Sequence, residues 1–236
     1  MRKSKLFIGL VVAVFVCVIV LYGWTQDYLT LSLKDDFGTG SSSGGWGQLG
    51  WEVGGSLCSS VGSFIGSWPH LGILRIIPSG GNTCAVALGN SVSPLLGNMS
   101  LHPGWSALYV VRLESLANAK YRIGFADTTT GNPPLNGIWF RYDSATDTYL
   151  TMETRASGVS STKVSTLIPS TDKFMKLWIM SVSSGEVRFT FDGIELSQPY
   201  TLKANVPTVS LMPMVQGYDN GIIQFDYFRF SHRVAR

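Results

Sequence analysis

Two carboxylates three residues apart, Asp192 and Glu195, stand in the stretch VRFTFDGIEL. Paired carboxylates suit acid–base and nucleophilic work on acetals, and a retaining glycosidase holds its pair ~5–5.5 Å apart around the substrate. On a single β-strand such a pair needs an even offset, because side chains alternate between faces. An offset of three fails that test. Val187, Phe189 and Phe191 alternate with Arg188 and Thr190, so the stretch reads as a strand, and Asp192-Gly193 as the hairpin turn ending it. The E-x-D-x-x-E run that would aim carboxylates from one strand at one ligand is absent. Glu153 and Asp226 remain as candidates from separate strands. The expectation is a chain without catalysis.

Other reactive constellations are missing from the sequence. There is no G-x-S-x-G, and GTGSSSGG lacks the lysine of a phosphate-cradling loop. His70, His102 and His232 are far apart, and no C-x-x-C occurs, so no metal site is expected. Cys17 lies in an apolar block. Cys58 and Cys84 remain, as a disulfide if the domain is exported or as two buried thiols. Asn98, in NMS, is a glycosylation acceptor only in a suitable host.

Saccharide sites combine an aromatic platform with a few placed polar groups. NGIWFRYD offers Trp139, Arg141 and Tyr142, and GYDNG offers Tyr218, Asp219 and Asn220. The competing reading is core packing for Trp139 and Tyr142 and an ordinary hairpin loop for residues 217–221.

Strands must position these groups. Leu71–Pro78, Trp105–Glu114, Tyr121–Ala126, Gly137–Asp143, Thr148–Thr154, Val159–Leu167, Phe174–Val182, Glu186–Asp192, Thr208–Val215 and Ile222–Phe230 are rich in β-branched and aromatic residues and bounded by turn residues. No fixed-period repeat appears, which disfavours a propeller or solenoid. Charged residues are only 14% of the 236, and glycines number 26. The fold class expected is all-β, an antiparallel two-sheet jelly-roll sandwich preceded by one N-terminal transmembrane helix.

That helix is read from Leu6–Trp24, 19 residues without a charge, long enough to span a bilayer. Arg2, Lys3 and Lys5 precede it and put the N-terminus in the cytoplasm. A cleaved signal peptide is the rival reading, with a poor small-x-small exit. The expected organisation is a cytoplasmic basic tip (1–5), a signal-anchor helix (6–24), a stalk (25–36) and a β-sandwich (37–236) outside the cytoplasm or on a virion surface. The net charge of +3 equals the three basic residues of the tip, so the outer domain is formally neutral and nucleic acid is not an expected partner.

FTFDGIEL resembles the strand-turn-strand of concanavalin A-like lectin/glucanase and laminin G-like jelly rolls, where an F-x-x-D-G hairpin recurs. The order of DDFGTG, GQLGW, HLGILRI, YRIGFAD, NGIWFRYD, VRFTFDG and IIQFDYFRF, across roughly residues 35–233, resembles such domains in tailed-phage virion proteins. The resemblance implies a membrane-anchored, surface-exposed or virion structural protein whose jelly roll binds glycan or a partner protein. The alternatives are a glycan-degrading enzyme on the same fold and an assembly subunit without ligand; a homo-oligomer is compatible with each. No cofactor is expected, and the Asp/Asn cluster with which legume-type lectins hold calcium is not identifiable.

Overall fold

The computed structural model describes residues 28–37, 49, 51–55, 58–65, 72–88, 104–130, 133–183, 185–191 and 200–235. The expected helix (6–24), the Asp192-Gly193 turn with Glu195, and Cys17, His70, Asn98 and His102 lie outside them. Among the described residues no helix is long and apolar enough to cross a membrane.

Fifteen strands are described: β1 (Tyr28–Asp35), β2 (Trp51–Gly55), β3 (Cys58–Ile65), β4 (Gly72–Pro78), β5 (Thr83–Leu88), β6 (Trp105–Leu113), β7 (Ala119–Ala126), β8 (Gly137–Asp143), β9 (Thr151–Ala156), β10 (Val159–Val164), β11 (Met175–Ser183), β12 (Glu186–Phe191), β13 (Tyr200–Leu202), β14 (Met212–Asp219) and β15 (Ile223–Ala235). β1 occupies most of the segment read from the sequence as a stalk. The chain divides into two units, Ser32–His232 and Met1–Leu31 with Arg233–Arg236. The described part of the second is the start of β1 and the end of β15.

The larger sheet has eight strands in the order β13-β12-β11-β6-β15-β4-β3, with β1 also paired to β15; the smaller has seven, β10-β9-β8-β7-β14-β5-β2. The pairings whose register is defined are antiparallel. The all-β sandwich expected from the sequence is therefore present.

Alternation builds the core. Ala107, Tyr109 and Val111 of β6, Leu177 and Ile179 of β11, and Val187 and Phe189 of β12 project inward from the larger sheet and are fully buried. Tyr121, Ile123, Ile138 and Phe140 answer from the smaller sheet. Aromatic pairs lock the layers: Phe140 meets Phe189 edge-on at 5.2 Å, Trp105 meets Phe125 at 5.0 Å, and Trp51 meets Phe228 at 5.1 Å.

One hydrogen bond and one covalent bond also cross the sandwich. Tyr109 Oη donates to the Gly124 carbonyl at 2.6 Å, joining β6 to β7. Cys58 on β3 and Cys84 on β5 form a disulfide with Cα atoms 4.7 Å apart. Their sequence separation of 26 makes the cross-link worth about 3–4 kcal/mol by loop-closure entropy.

Candidate functional site

The smaller sheet turns a second face away from the core, and register assembles it from distant segments. Trp139 on β8 stands opposite Glu153 on β9 and Gly124 on β7. Arg141 stands opposite Thr151 and Arg122, and Arg122 in turn opposite Gln216 on β14. One step further along, Asp143, Lys120 and Tyr218 form a row. Towards β5 the face becomes apolar: Ala85, Ala87, Ala126, Met212 and Met214 close around Trp139.

Two glycines shape the floor. A Cβ at Gly124 would lie 2.7 Å from Trp139 Cα, so only glycine lets β7 and β8 meet there. A Cβ at Gly137 would overlap the Trp139 ring, which lies across the space the glycine leaves.

Glu153 is the hub. It is 2% exposed, yet both of its oxygens are occupied. Oε2 accepts from Trp139 Nε1 and Arg141 Nη1, each at 3.2 Å. Oε1 accepts from Ser160 Oγ at 2.6 Å and pairs with Arg155 at 3.6 Å. Arg141 also grips Asp147 through two parallel contacts, at 3.1 and 3.0 Å. Such a fork fixes the guanidinium plane. Asp147 reaches Arg141 because the β8–β9 turn folds back, with the Asp143 amide donating to Asp147 Oδ2 at 2.9 Å. On the other side Arg122 donates to Gln216 Oε1 at 2.9 Å, and Gln216 donates to the Thr129 carbonyl at 3.2 Å.

The electrostatics follow from this packing. Burial acts to lower the Arg141 pKa, but the bonds and charges of Asp147 and Glu153 outweigh it and hold the group above its ordinary value. Arg122 is pulled down to about 10, first by burial, with the Glu153 charge opposing. The side chains of Arg141 and Arg155 remain 27% and 20% exposed, and they form the accessible rim of the network.

The structure does not bring the six sequence-derived ligand residues together. Trp139, Arg141 and Tyr218 share the outer face. Tyr142, one residue on from Arg141, must point the other way, and it packs in the core against Tyr121 at 6.4 Å. Trp139 is wholly buried, so it supports the face rather than offering an open platform. Asp219 takes a left-handed φ of 57° in the β14–β15 turn, and the Asn220 amide donates to the Asn118 carbonyl at 3.2 Å. Glu153 and Asp226 stand on different sheets, Asp226 in a bulge of β15. Arg122, Asp147, Arg155 and Gln216 escaped the sequence reading. A charged residue inside an alternating strand, as in YRIGFA, was the available signal.

No protein-family model matches the chain, and no curated relative does. Solved structures do. A Bacillus licheniformis β-glucanase is 12% identical, with a TM-score of 0.55 over 84% of this chain and 97% of that one. A β-1,3-glucanase from Mycobacterium marinum is 15% identical, with a TM-score of 0.52 over 87% and 99%. The carbohydrate recognition domain of Emp47p is 10% identical, with a TM-score of 0.55 over 86% and 95%. The chain thus has the concanavalin A-like jelly-roll fold that its sequence resembles. The expectation of a chain without catalysis is corrected here: two of these neighbours are glucanases, so the missing one-strand carboxylate pattern does not exclude an enzyme on this fold.

Proposed function

We propose that this protein recognises glycan with the outer face of its smaller sheet. The observation that carries the reading is Arg141. Its guanidinium is fixed between Asp147 and Glu153 while 27% of the side chain stays exposed. A rigid planar donor at a solvent edge suits paired sugar hydroxyls, since its ordering cost is met before the ligand arrives. Neighbours named as glucanases and as a carbohydrate recognition domain support the same ligand class.

A glycan-array screen of the full-length protein in detergent, with calcium and with chelator, tests this. Selective binding that falls roughly tenfold to hundredfold in Arg141→Ala, with circular dichroism unchanged, is the expected result. An array without selective binding, or undiminished binding by the variant, would overturn it. A second reading, hydrolysis of the bound glycan, is favoured by the buried Glu153 carboxylate beside Arg141. Release of reducing ends that stops in Glu153→Gln would establish it.

The setting follows from the sequence: residues 6–24 anchor the protein in a membrane and display the jelly roll on the far side, or on a virion surface. Carbonate extraction and protease protection of the displayed domain test that placement.

A further inference from the structure

The outer face of the larger sheet departs from ordinary alternation. Leu108 and Val110 of β6 lie on it, because Ala107, Tyr109 and Val111 of the same strand belong to the core. A solvated face of an antiparallel sheet is usually polar at its centre. Here Leu108 and Val110 are 7% and 6% exposed, flanked by aromatic residues. Trp178 of β11 stands opposite Leu108, and Tyr227 of β15 opposite Val110.

Cations surround this apolar centre. The Arg229 guanidinium stands over the Trp178 ring at 5.1 Å, and that of Arg112 over Phe174 at 5.3 Å. Arg188 pairs in register with Met180, and exposed Lys176 with Val110. Nearby carboxylates are engaged: Glu114 by Arg75 and Gln224, Glu186 by Lys203. Asp226 is 9% exposed in its bulge. Among the described residues, none of Arg112, Lys176, Arg188 and Arg229 carries a salt bridge. The Arg112 charge is felt by Glu114, while Lys176, Arg188 and Arg229 give the formally neutral domain a face rich in cations.

We propose that this face binds an acidic polysaccharide, its carboxylate or sulfate groups on Arg188, Arg229 and Arg112 and its sugar faces over the Leu108–Trp178 centre. A guanidinium over an aromatic ring keeps N–H donors for a planar or tetrahedral oxyanion in two-point contact. The same arrangement disfavours an anionic lipid surface. Trp178 lies half-buried in the sheet rather than projecting to insert. This inference does not rest on the smaller-sheet reading.

The test uses the full chain in phosphatidylcholine nanodiscs, with dextran sulfate, uncharged dextran and phosphatidylglycerol vesicles as probes. Dextran sulfate should bind and uncharged dextran should not, with affinity falling as salt rises. The double variant Arg188→Ala/Arg229→Ala should weaken binding roughly tenfold to hundredfold, and Arg229→Lys should not restore the paired contact. Lys163→Ala on β10 should leave it unchanged, with circular dichroism confirming the fold of every variant. Three results would overturn the proposal: equal losses in Lys163→Ala, which would mean net charge alone; undiminished affinity in Arg188→Ala/Arg229→Ala, which would place the anion elsewhere; or vesicle binding without dextran sulfate binding, which would make the face a lipid surface.

Discussion

The two outer faces of the sandwich obey the same period of two and spend their charges differently. On the smaller sheet, Glu153 and Asp147 neutralise Arg141 and Arg155, and the network is closed over a buried tryptophan. On the larger sheet, Arg229 and Arg112 lie on Trp178 and Phe174, and among the described residues neither carries a salt bridge. The first arrangement trades solvation for fixed geometry. The second leaves donors with coordination to give. The closed network fixes one donor edge, that of Arg141, for an uncharged glycan, whereas the open one can take up an anion, and substitutions should separate the two.

The largest effect is expected at Glu153. Glu153→Ala removes the acceptor of two arginines and of Trp139 Nε1 in a site where the carboxylate itself is 2% exposed. The change leaves Arg155 without its carboxylate and Trp139 Nε1 without its acceptor while Arg141 keeps Asp147, at a cost of about 3 kcal/mol. Urea unfolding should show that loss. A change under about 1 kcal/mol would mean that water replaces Glu153 and that the face is open, erasing the contrast with the larger sheet.

How much of this was legible in the sequence depends on where alternation survives. β6, β7, β8, β11 and β12 were found because one side of each is core and the other is not. β5, TCAVAL, was missed because it is buried on both sides and shows no period. β13 is three residues long, too short to leave a pattern. The same rule could have divided Trp139 and Arg141 from Tyr142, which sits at an odd offset from both. What no pattern in one strand could show is register. Glu153 meets Trp139 because β8 and β9 pair as they do, and Arg229 meets Trp178 across β6, fifty-one residues away in sequence.

Between the two faces, Tyr109 offers an intermediate effect. Tyr109→Phe leaves the ring but frees the buried Gly124 carbonyl, costing about 1–2 kcal/mol. Burial raises the Tyr109 pKa well above its ordinary value, with the smaller influence of its backbone hydrogen bonding opposed. Tyr121 is raised by burial too. A phenol harder to ionise when folded contributes stability below the unfolded-state pKa near ~10 and loses it as pH rises further. Stability should therefore fall above about pH 10, less steeply in Tyr109→Phe. An equally steep fall in the variant would assign the alkaline loss to other groups.

The smallest effect on folding is expected at Arg229, and it bears most directly on the contrast. Arg229→Ala removes one cation–π contact on a half-exposed side chain, worth about 0.5–1 kcal/mol. No buried carboxylate is orphaned, because none was paired to it among the described residues. Stability should hardly move while dextran sulfate affinity drops. That dissociation is what an open face predicts. If Arg229→Ala instead unfolds the protein as readily as Glu153→Ala, the arginine serves to cover Leu108 and Trp178, and both faces are structural networks of one kind.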